Sequence, residues 1–414
     1  MKVIHLAMSA GGGAGIAAGR GVEALRELGV AAEFWTAEGN RFGRPLRSHR
    51  WTTARILMDS IPLRFYQKRR LFSAWSNNWQ SSRLADQINR EKPDIVHVHW
   101  IGSGFLALDE LSRFEMPLVW TLHDLWAFTG GCHYPDKCVG YVSGCGACPQ
   151  LASTKKHDLS RRNFQAKRMH LHSVAAFITP STWLAELVKT SGGNCADRLH
   201  VIPNGFDGKV FFPRDREMAR RSLELPTDAL ILVAGAQDLR EPRKGLHFFR
   251  EAMVGIAAAM HQRCVVILFG ARGNDSAHYW PCETRWLGTL AAGEETALVY
   301  CAADALLMSS VQDNLPSMPI EALGCGCPTI AFNVGGMREI IESGQTGMLA
   351  DDVDSAGLSA AVIAWFKQMP ERSEVLANCS ARFEKLFASR LHAERLNAVY
   401  EQVLTGDSRH GDLA

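Results

Sequence analysis

An α/β protein of two doubly wound domains with parallel sheets is the fold class that this 414-residue sequence predicts. Short β-rich apolar runs alternate with helix-like segments, the rhythm expected of parallel strands with crossover helices. That rhythm breaks once, at the Pro-, Gly- and Asn-containing "VIPNGFDGKVFFPRD", and then restarts. The 47% hydrophobic content is enough for more than one core, and the length fits two or three domains of ordinary size.

The first run of elements opens with the strand "KVIHLAM", the helix "GIAAGRGVEALRELG" and the strand "AAEFWTA". It continues through "PDIVHVHWI", "MPLVWTLHD" and "VAAFITP", the last followed by the helix "STWLAELVK". After the break come "ALILVAGA", a helix from Gly245, then "CVVILFGA", "TRWLGTL" and "ADALLMSS". These runs predict domains over 1–205 and 206–381, with a helix near 382–404 closing back over the first domain and a frayed tail beyond it. Doubly wound sheets bind ligands beyond the carboxyl ends of their strands, so a cleft between two facing domains is the expected site.

Composition narrows the function classes. The 45 basic and 43 acidic side chains nearly cancel, to +2, which gives no reason for nucleic acid as a partner. No apolar run approaches the roughly 18 residues of a spanning helix. The opening "MKVIHLAMSAGGGAG" contains His5 and runs into glycines, so it reads as a strand rather than a signal peptide. Eleven cysteines, odd in number and mostly scattered, fit a reducing cytoplasm.

The stretch "SSVQDNLPSMPIEALGCGCP" follows an apolar strand and places Asp313 and Glu321 around a Pro-containing bend. Ser317 is the expected N-cap, Pro319 sits just inside, and Gly324 is the expected stop. A helix start there offers N–H groups and a partial positive charge to a phosphate or a hydroxyl. Glu321 could accept from the vicinal hydroxyls of a ribose and Asp313 could hold a sugar. The plain alternative is a helix-dipole glutamate, worth about 0.3 to 1 kcal/mol, beside a solvated turn aspartate. In "LREPRKGLHFF", Arg240, Arg243 and Lys244 follow another strand of the same domain, where cations could clamp a diphosphate. A solvated charged loop is the ordinary alternative.

In "GGGAGIAAGR", Gly13, Gly15 and Ala18 satisfy G-x-G-x-x-A, with Glu33 or Glu38 at the distance of a ribose acid. That pattern supports an NAD-dependent oxidoreductase as a rival, although small residues are also needed wherever a loop admits a bulky substrate. His123 in "WTLHDLW" ends a strand and is expected to face the cleft, with Asp124 either orienting it or ending the strand. His97 and His99 alternate with apolar residues and read as buried, hydrogen-bonded side chains.

Together, "VIPNGFD", "PRKG", "YCAADALLMSS", Asp313-x7-Glu321, "EALGCGCPTIAFNVGGMREII" and "GQTGMLA" resemble the retaining GT-B glycosyltransferases of family four. "GGGAGIAAGR" and "TLHDLWAFTGGCHYPDKC" look like a bacterial subgroup that builds surface polysaccharides. The resemblance implies a GT-B fold of two Rossmann-like domains, the first for the acceptor and the second for a nucleotide-diphosphate sugar. It implies transfer of that sugar with retained configuration to a saccharide or lipid-linked acceptor, without a required catalytic metal. By the same likeness Glu321 binds the ribose, Lys244 the diphosphate and His123 the donor sugar, and the Gly13 to Gly15 loop meets the donor phosphate or acceptor. Asp313 stands where the family usually has glutamate, Asn314, Leu315 and Pro316 replace its glycine-rich turn, and either Arg243 or Arg240, of which Arg243 is preferred, takes the place of its phosphate-binding arginine. Asp313 joins His123 as a catalytic candidate, and Asn314, Leu315 and Ser317 join the donor-binding set.

Cys132, Cys138, Cys145 and Cys148 lie within seventeen residues and end in C-x2-C, a pattern that suits a structural zinc. A disulfide pair or four free thiols is the alternative, and His133 could replace one ligand. In "IPLRFYQKRRLFSAWSNNWQ", Phe65, Phe72, Trp75 and Trp79 recur on one helical face beside Lys68, Arg69 and Arg70. Such a helix would lie on the inner membrane or pack on its own domain. Rival functions are a nucleotide-sugar epimerase of similar architecture, the oxidoreductase, a glycosidase and a non-catalytic binding protein.

Overall fold

A computed structural model of the chain describes residues 1–37, 49–70, 74–192, 195–260, 262–271 and 280–406, the side chains of 49–52 aside. Glu38 and Phe72 lie outside the described residues. The chain forms two compact units, residues 1–205 with 389–414, and residues 206–388.

The first unit is built on β1 (Lys2–Ala7), β2 (Ala31–Thr36), β3 (Ile95–Val98), β4 (Leu118–Thr121), β5 (Val174–Thr179) and β6 (Leu199–Val201). They form one parallel sheet in the order β2-β1-β3-β4-β5-β6. Alternation along each strand divides its side chains between two layers. Ile4, Leu6, Val96, Val98, Trp120 and Phe177 pack on one side. Val3, Ile95, Val119 and Ile178 pack on the other, against Val22 and Leu25 of helix Gly12–Glu27 and Leu396, Val399 and Tyr400 of helix Ser389–Thr405. His5, His97 and His99 keep the same parity as this second set, so all three imidazoles lie under the C-terminal helix.

The second unit is built on β7 (Leu230–Asp238), β8 (Cys264–Ala271), β9 (Glu283–Trp286), β10 (Ala305–Met308), β11 (Thr329–Phe332) and β12 (Gly347–Ala350). Its parallel sheet runs β12-β11-β10-β7-β8-β9. Ile231, Val233, Val265, Ile267, Leu306 and Ile330 are fully buried, because a parallel sheet is covered on both faces. Covered faces explain why these strands read as nearly continuous apolar runs. Chain order reverses between β7 and β10, and ligands of doubly wound sheets bind at that reversal.

Among its described residues, 61–70 and 74–80, the basic aromatic stretch forms no α-helix. Ile61–Phe65 is a short 3-10 turn with Pro62 at its start, and Trp75 forms an isolated antiparallel bridge with Cys132. The Asp59 carboxylate then accepts the backbone N–H groups of Asn77 and Asn78 at 3.0 and 2.6 Å, which holds the following residues out of helical register. Trp75 is turned against Gly131, while Phe65 is 85% exposed. Among the described residues no helix is long and apolar enough to cross a membrane.

Candidate functional site

The loops leaving β7 and β10, the two strands at the chain reversal, bring together the second unit's cations and acids. After β7, Pro242–Lys244 makes one 3-10 turn that Gly245 ends at φ +63°. A Cβ at Gly245 would overlap the Ser309 carbonyl oxygen, so only glycine lets the two loops touch backbone to backbone. Ser309 Oγ also donates to the Lys244 carbonyl at 2.9 Å, and the Val311 N–H donates to the Arg243 carbonyl at 2.9 Å. Gly335, at φ +59° in the loop after β11, packs on the Asp313 carbonyl in the same way, and the Gly336 N–H donates to Asn314 at 2.8 Å.

Within this frame Asp313 is nearly buried, and its carboxylate binds both neighbouring cations. Lys244 Nζ is 2.7 Å from Oδ2, and an Arg243 terminal nitrogen is 3.0 Å from Oδ1. Burial alone would raise the Asp313 pKa, but the Lys244 and Arg243 charges outweigh it and hold the carboxyl below its usual range. The aspartate expected to hold a sugar is thus engaged in fixing two cations. Arg243 also donates to the Gln312 carbonyl at 2.8 Å and to Glu241 at 2.8 Å. Arg240 points elsewhere, pairing with Asp238 at 2.8 Å and 63% exposed.

Helix Ser317–Gly324 starts one residue earlier than the capping pattern implied. Pro316 is its N-cap and Ser317 its first residue, and no side chain caps it, so its leading N–H groups are not taken up by a cap. Asn314 and Leu315 are buried beneath this start. Glu321 is buried in the second turn, and Tyr300 Oη donates to its Oε2 at 3.3 Å. Burial and the Glu321 charge push the Tyr300 pKa well up, so the phenol keeps its proton and remains a donor. No local spacing tied Tyr300 to Glu321, which lies 21 residues away.

In the first unit, Gly13 and Gly15 belong to the opening turn of helix Gly12–Glu27 rather than to a loop. A Cβ at Gly15 would overlap the Ser9 carbonyl oxygen, whereas Gly13 faces open space. Glu33 lies within β2 and pairs with Lys2 at 3.8 Å, away from the carboxyl end where a ribose acid would stand. His123, two residues beyond β4, is bonded to His99 at 3.1 Å, and burial lowers its pKa to about 4. It is neutral at ordinary pH. Asp124 orients His133, at 2.7 Å, rather than His123, and it accepts the Trp126 N–H at 2.8 Å.

Cys132, Cys138, Cys145 and Cys148 are free thiols that line one cavity of about 20 Å³ with Trp75, Tyr141 and Ser160. His133 is not in that lining: its Nε2 bonds Ser76 at 3.0 Å and its Nδ1 bonds Asp124. Among the described residues, the set of three metal-ligand atoms found within 4.8 Å of one another is His5, His97 and His99.

Residues 11–209 match the family model described as Glycosyltransferase Family 4, and residues 228–368 match Glycosyl transferases group 1. A D-inositol 3-phosphate glycosyltransferase of Thermomonospora curvata is 30% identical over 327 residues, 74% of this chain and 71% of that protein. The chain belongs to glycosyltransferase family 4. Another relative of this glycosyltransferase, a putative colanic acid biosynthesis glycosyl transferase WcaC of Escherichia coli K12, is 29% identical over 82% of the chain and 84% of that protein. The solved structure of Anabaena Alr3699/HepE in complex with UDP and glucose superposes with a TM-score of 0.68, at 16% identity, over 97% of this chain and 100% of that one. This likeness shows that the glycosyltransferase has the GT-B fold, and the family does not favour the oxidoreductase and epimerase readings.

Proposed function

We propose that the enzyme moves a hexose from a nucleotide-diphosphate sugar, of the UDP type, to a saccharide or lipid-linked saccharide during assembly of a surface polysaccharide. The observation that carries this reading is the convergence of Lys244, Arg243, an uncapped helix start and Glu321 where the second sheet reverses order. Residues 206–381 hold the donor and 1–205 the acceptor. Glu321 accepts from the ribose hydroxyls. Lys244 and Arg243, fixed by Asp313, neutralise the diphosphate, while Asn314, Leu315 and Ser317 form the turn beneath the donor. His123 meets the donor sugar, and the Gly13 to Gly15 turn meets the donor phosphate or the acceptor.

As the bond from the anomeric carbon to the diphosphate breaks, the acceptor oxygen bonds that carbon from the same face. Same-face bonding retains the configuration, and the leaving phosphate takes the acceptor's proton. Two fixed cations where charge accumulates make the diphosphate a better leaving group. No catalytic metal enters this scheme. UDP release from a UDP-hexose that requires a saccharide acceptor, with glycosylated product of retained configuration, tests the reading; donor that binds but is not consumed with any acceptor would refute it.

Exposed Ile56, Leu57, Met58, Ile61 and Phe65 support peripheral contact with the cytoplasmic face of the inner membrane, where a lipid-linked acceptor would lie. The four cysteines are read as a structural zinc site. Their sulfurs line one cavity, Cys138 Sγ accepts the Gly140 N–H at 3.4 Å, and backbone N–H groups also reach Cys145 and Cys148. As thiolates the four cysteines would hold a zinc ion, which would brace the loop with no position left for water. One zinc per purified chain, lost in Cys145→Ser, is the expected metal content; wild-type protein without zinc contradicts the assignment.

A further inference from the structure

Beneath the C-terminal helix, hydrogen bonds run unbroken from Thr121 to His123 by a route that crosses the sheet and returns. Thr121 Oγ1 meets His97 Nε2 at 2.8 Å, and His97 Nδ1 meets Tyr400 Oη at 2.6 Å. Tyr400 Oη meets His5 Nε2 at 3.3 Å, His5 Nδ1 meets His99 Nε2 at 3.0 Å, and His99 Nδ1 meets His123 Nε2 at 3.1 Å. Strand register makes this arrangement, because His5 stands directly across from His97 and the side-chain period of two puts His97 and His99 on one face. Thr121 and His123 are related in the same way along the segment that continues β4. His97 and His99 stack at 4.4 Å between ring centroids, and His99 and His123 at 5.4 Å.

We propose that Thr121 and Tyr400 set the tautomer of His123 through this chain and are positioning residues for sugar transfer, an inference resting on the reading above that His123 meets the donor. A neutral imidazole has one N–H and one lone pair, so each ring that donates on one side must accept on the other. Direction is therefore passed along the whole chain. Burial lowers the pKa of His5, His97, His99 and His123, which keeps every ring neutral. His392, also neutral, lies nearby and donates from Nδ1 to the Pro203 carbonyl at 2.7 Å, outside the chain.

Tyr400 has one proton and two nitrogen neighbours, and their distances fix the direction. The 2.6 Å contact fits a phenol O–H donating to His97, and the 3.3 Å contact fits His5 donating a longer N–H bond back to the phenol oxygen. His97 then donates from Nε2 to Thr121. His5 accepts at Nδ1 from His99, His99 accepts at Nδ1 from His123, and His123 carries its proton on Nε2. Its Nδ1 holds the lone pair. The three histidines whose ligand atoms cluster also have the donor set for a metal ion. Their ring nitrogens already bond one another, Tyr400, Thr121 and His123, so an ion would have to break this chain.

The test is a long-range proton–nitrogen NMR spectrum of full-length protein labelled with ¹⁵N in its imidazoles, with His123 assigned by difference against His123→Gln. Wild-type His123 is expected as the Nε2–H form. Thr121→Val removes the acceptor of the His97 proton while suiting a strand, and it is expected to reverse every link and convert His123 to the Nδ1–H form. The same variant is expected to lower kcat about fivefold or more, the worth of one neutral hydrogen bond, with little change in donor KM. Tyr400→Phe is expected to give a mixture of both forms. An Nδ1–H form in the wild type overturns the proposal, as does an unchanged His123 spectrum in a folded Thr121→Val. Stoichiometric metal in the wild type, lost in His5→Ala, overturns it too. A reversed tautomer with unchanged kcat supports the chain and refutes the placement of His123 at the donor.

Discussion

Replacing Lys244 with alanine is expected to lower kcat by about two to three orders of magnitude while donor affinity changes far less. Lys244 is partly exposed, 2.7 Å from Asp313, and an ammonium has three donors, so it can bind the carboxylate and a phosphate together. Its interaction strengthens as the diphosphate gains charge on leaving, and a group that binds the transition state better than the ground state acts on turnover. Removing Lys244 leaves Asp313 with Arg243 as a cation, at 3.0 Å, so the fold has a remaining partner for the buried acid. Steady-state kinetics of Lys244→Ala and of Lys244→Ala/Asp313→Asn separate the two roles. Loss of turnover in both, with a normal melting temperature in the double variant, is the expected pattern. Recovery of activity in the double variant would mean that Lys244 serves only to neutralise Asp313.

Acid is expected to unfold the first unit well above the range where carboxylates titrate. Burial lowers His5 to about 3 and His123 and His392 to about 4, and it also lowers His97 and His99. Unfolded, each begins to bind a proton near the ordinary histidine value of about 6.5. Between that value and the lowered one, the unfolded chain holds more protons, so stability is complete above the window and falls as pH drops through it. Each histidine contributes up to roughly 1.4 kcal/mol per pH unit there, and several together approach the whole stability of a domain, about 5 to 15 kcal/mol. Denaturant midpoints followed by circular dichroism from pH 7.5 to 4 are expected to fall steeply below 6.5. A flat profile to pH 5 would show that these histidines are not buried as neutral rings. Turnover of folded enzyme should have no acidic limb from His123 in the neutral range.

Much of the architecture was legible because parallel strands covered on both faces must be apolar along their length, and glycine, proline and asparagine mark their ends. Period two also marked His97 and His99 as buried partners within a strand. Long-range pairings were not legible. Nothing local links Tyr400 to His97, 303 residues away, or Tyr300 to Glu321. The aromatic spacing of residues 65–79 suggested a helix, but Trp75 bridges Cys132 as extended chain and the Asn77 and Asn78 N–H groups go to the Asp59 carboxylate instead of to a preceding helical turn. Asp124 beside His123 suggested a pair, whereas its side chain reaches His133 instead. Neighbours in sequence on an extended segment point to opposite faces, so adjacency was the weaker guide.

Crystals soaked with UDP address the central claim most directly. Nucleotide density is expected at the reversal between β7 and β10, with ribose hydroxyls on the Glu321 carboxylate and the diphosphate within hydrogen-bond distance of Lys244. Density in another place, or a ribose that leaves Glu321 bonded to protein groups alone, would contradict it.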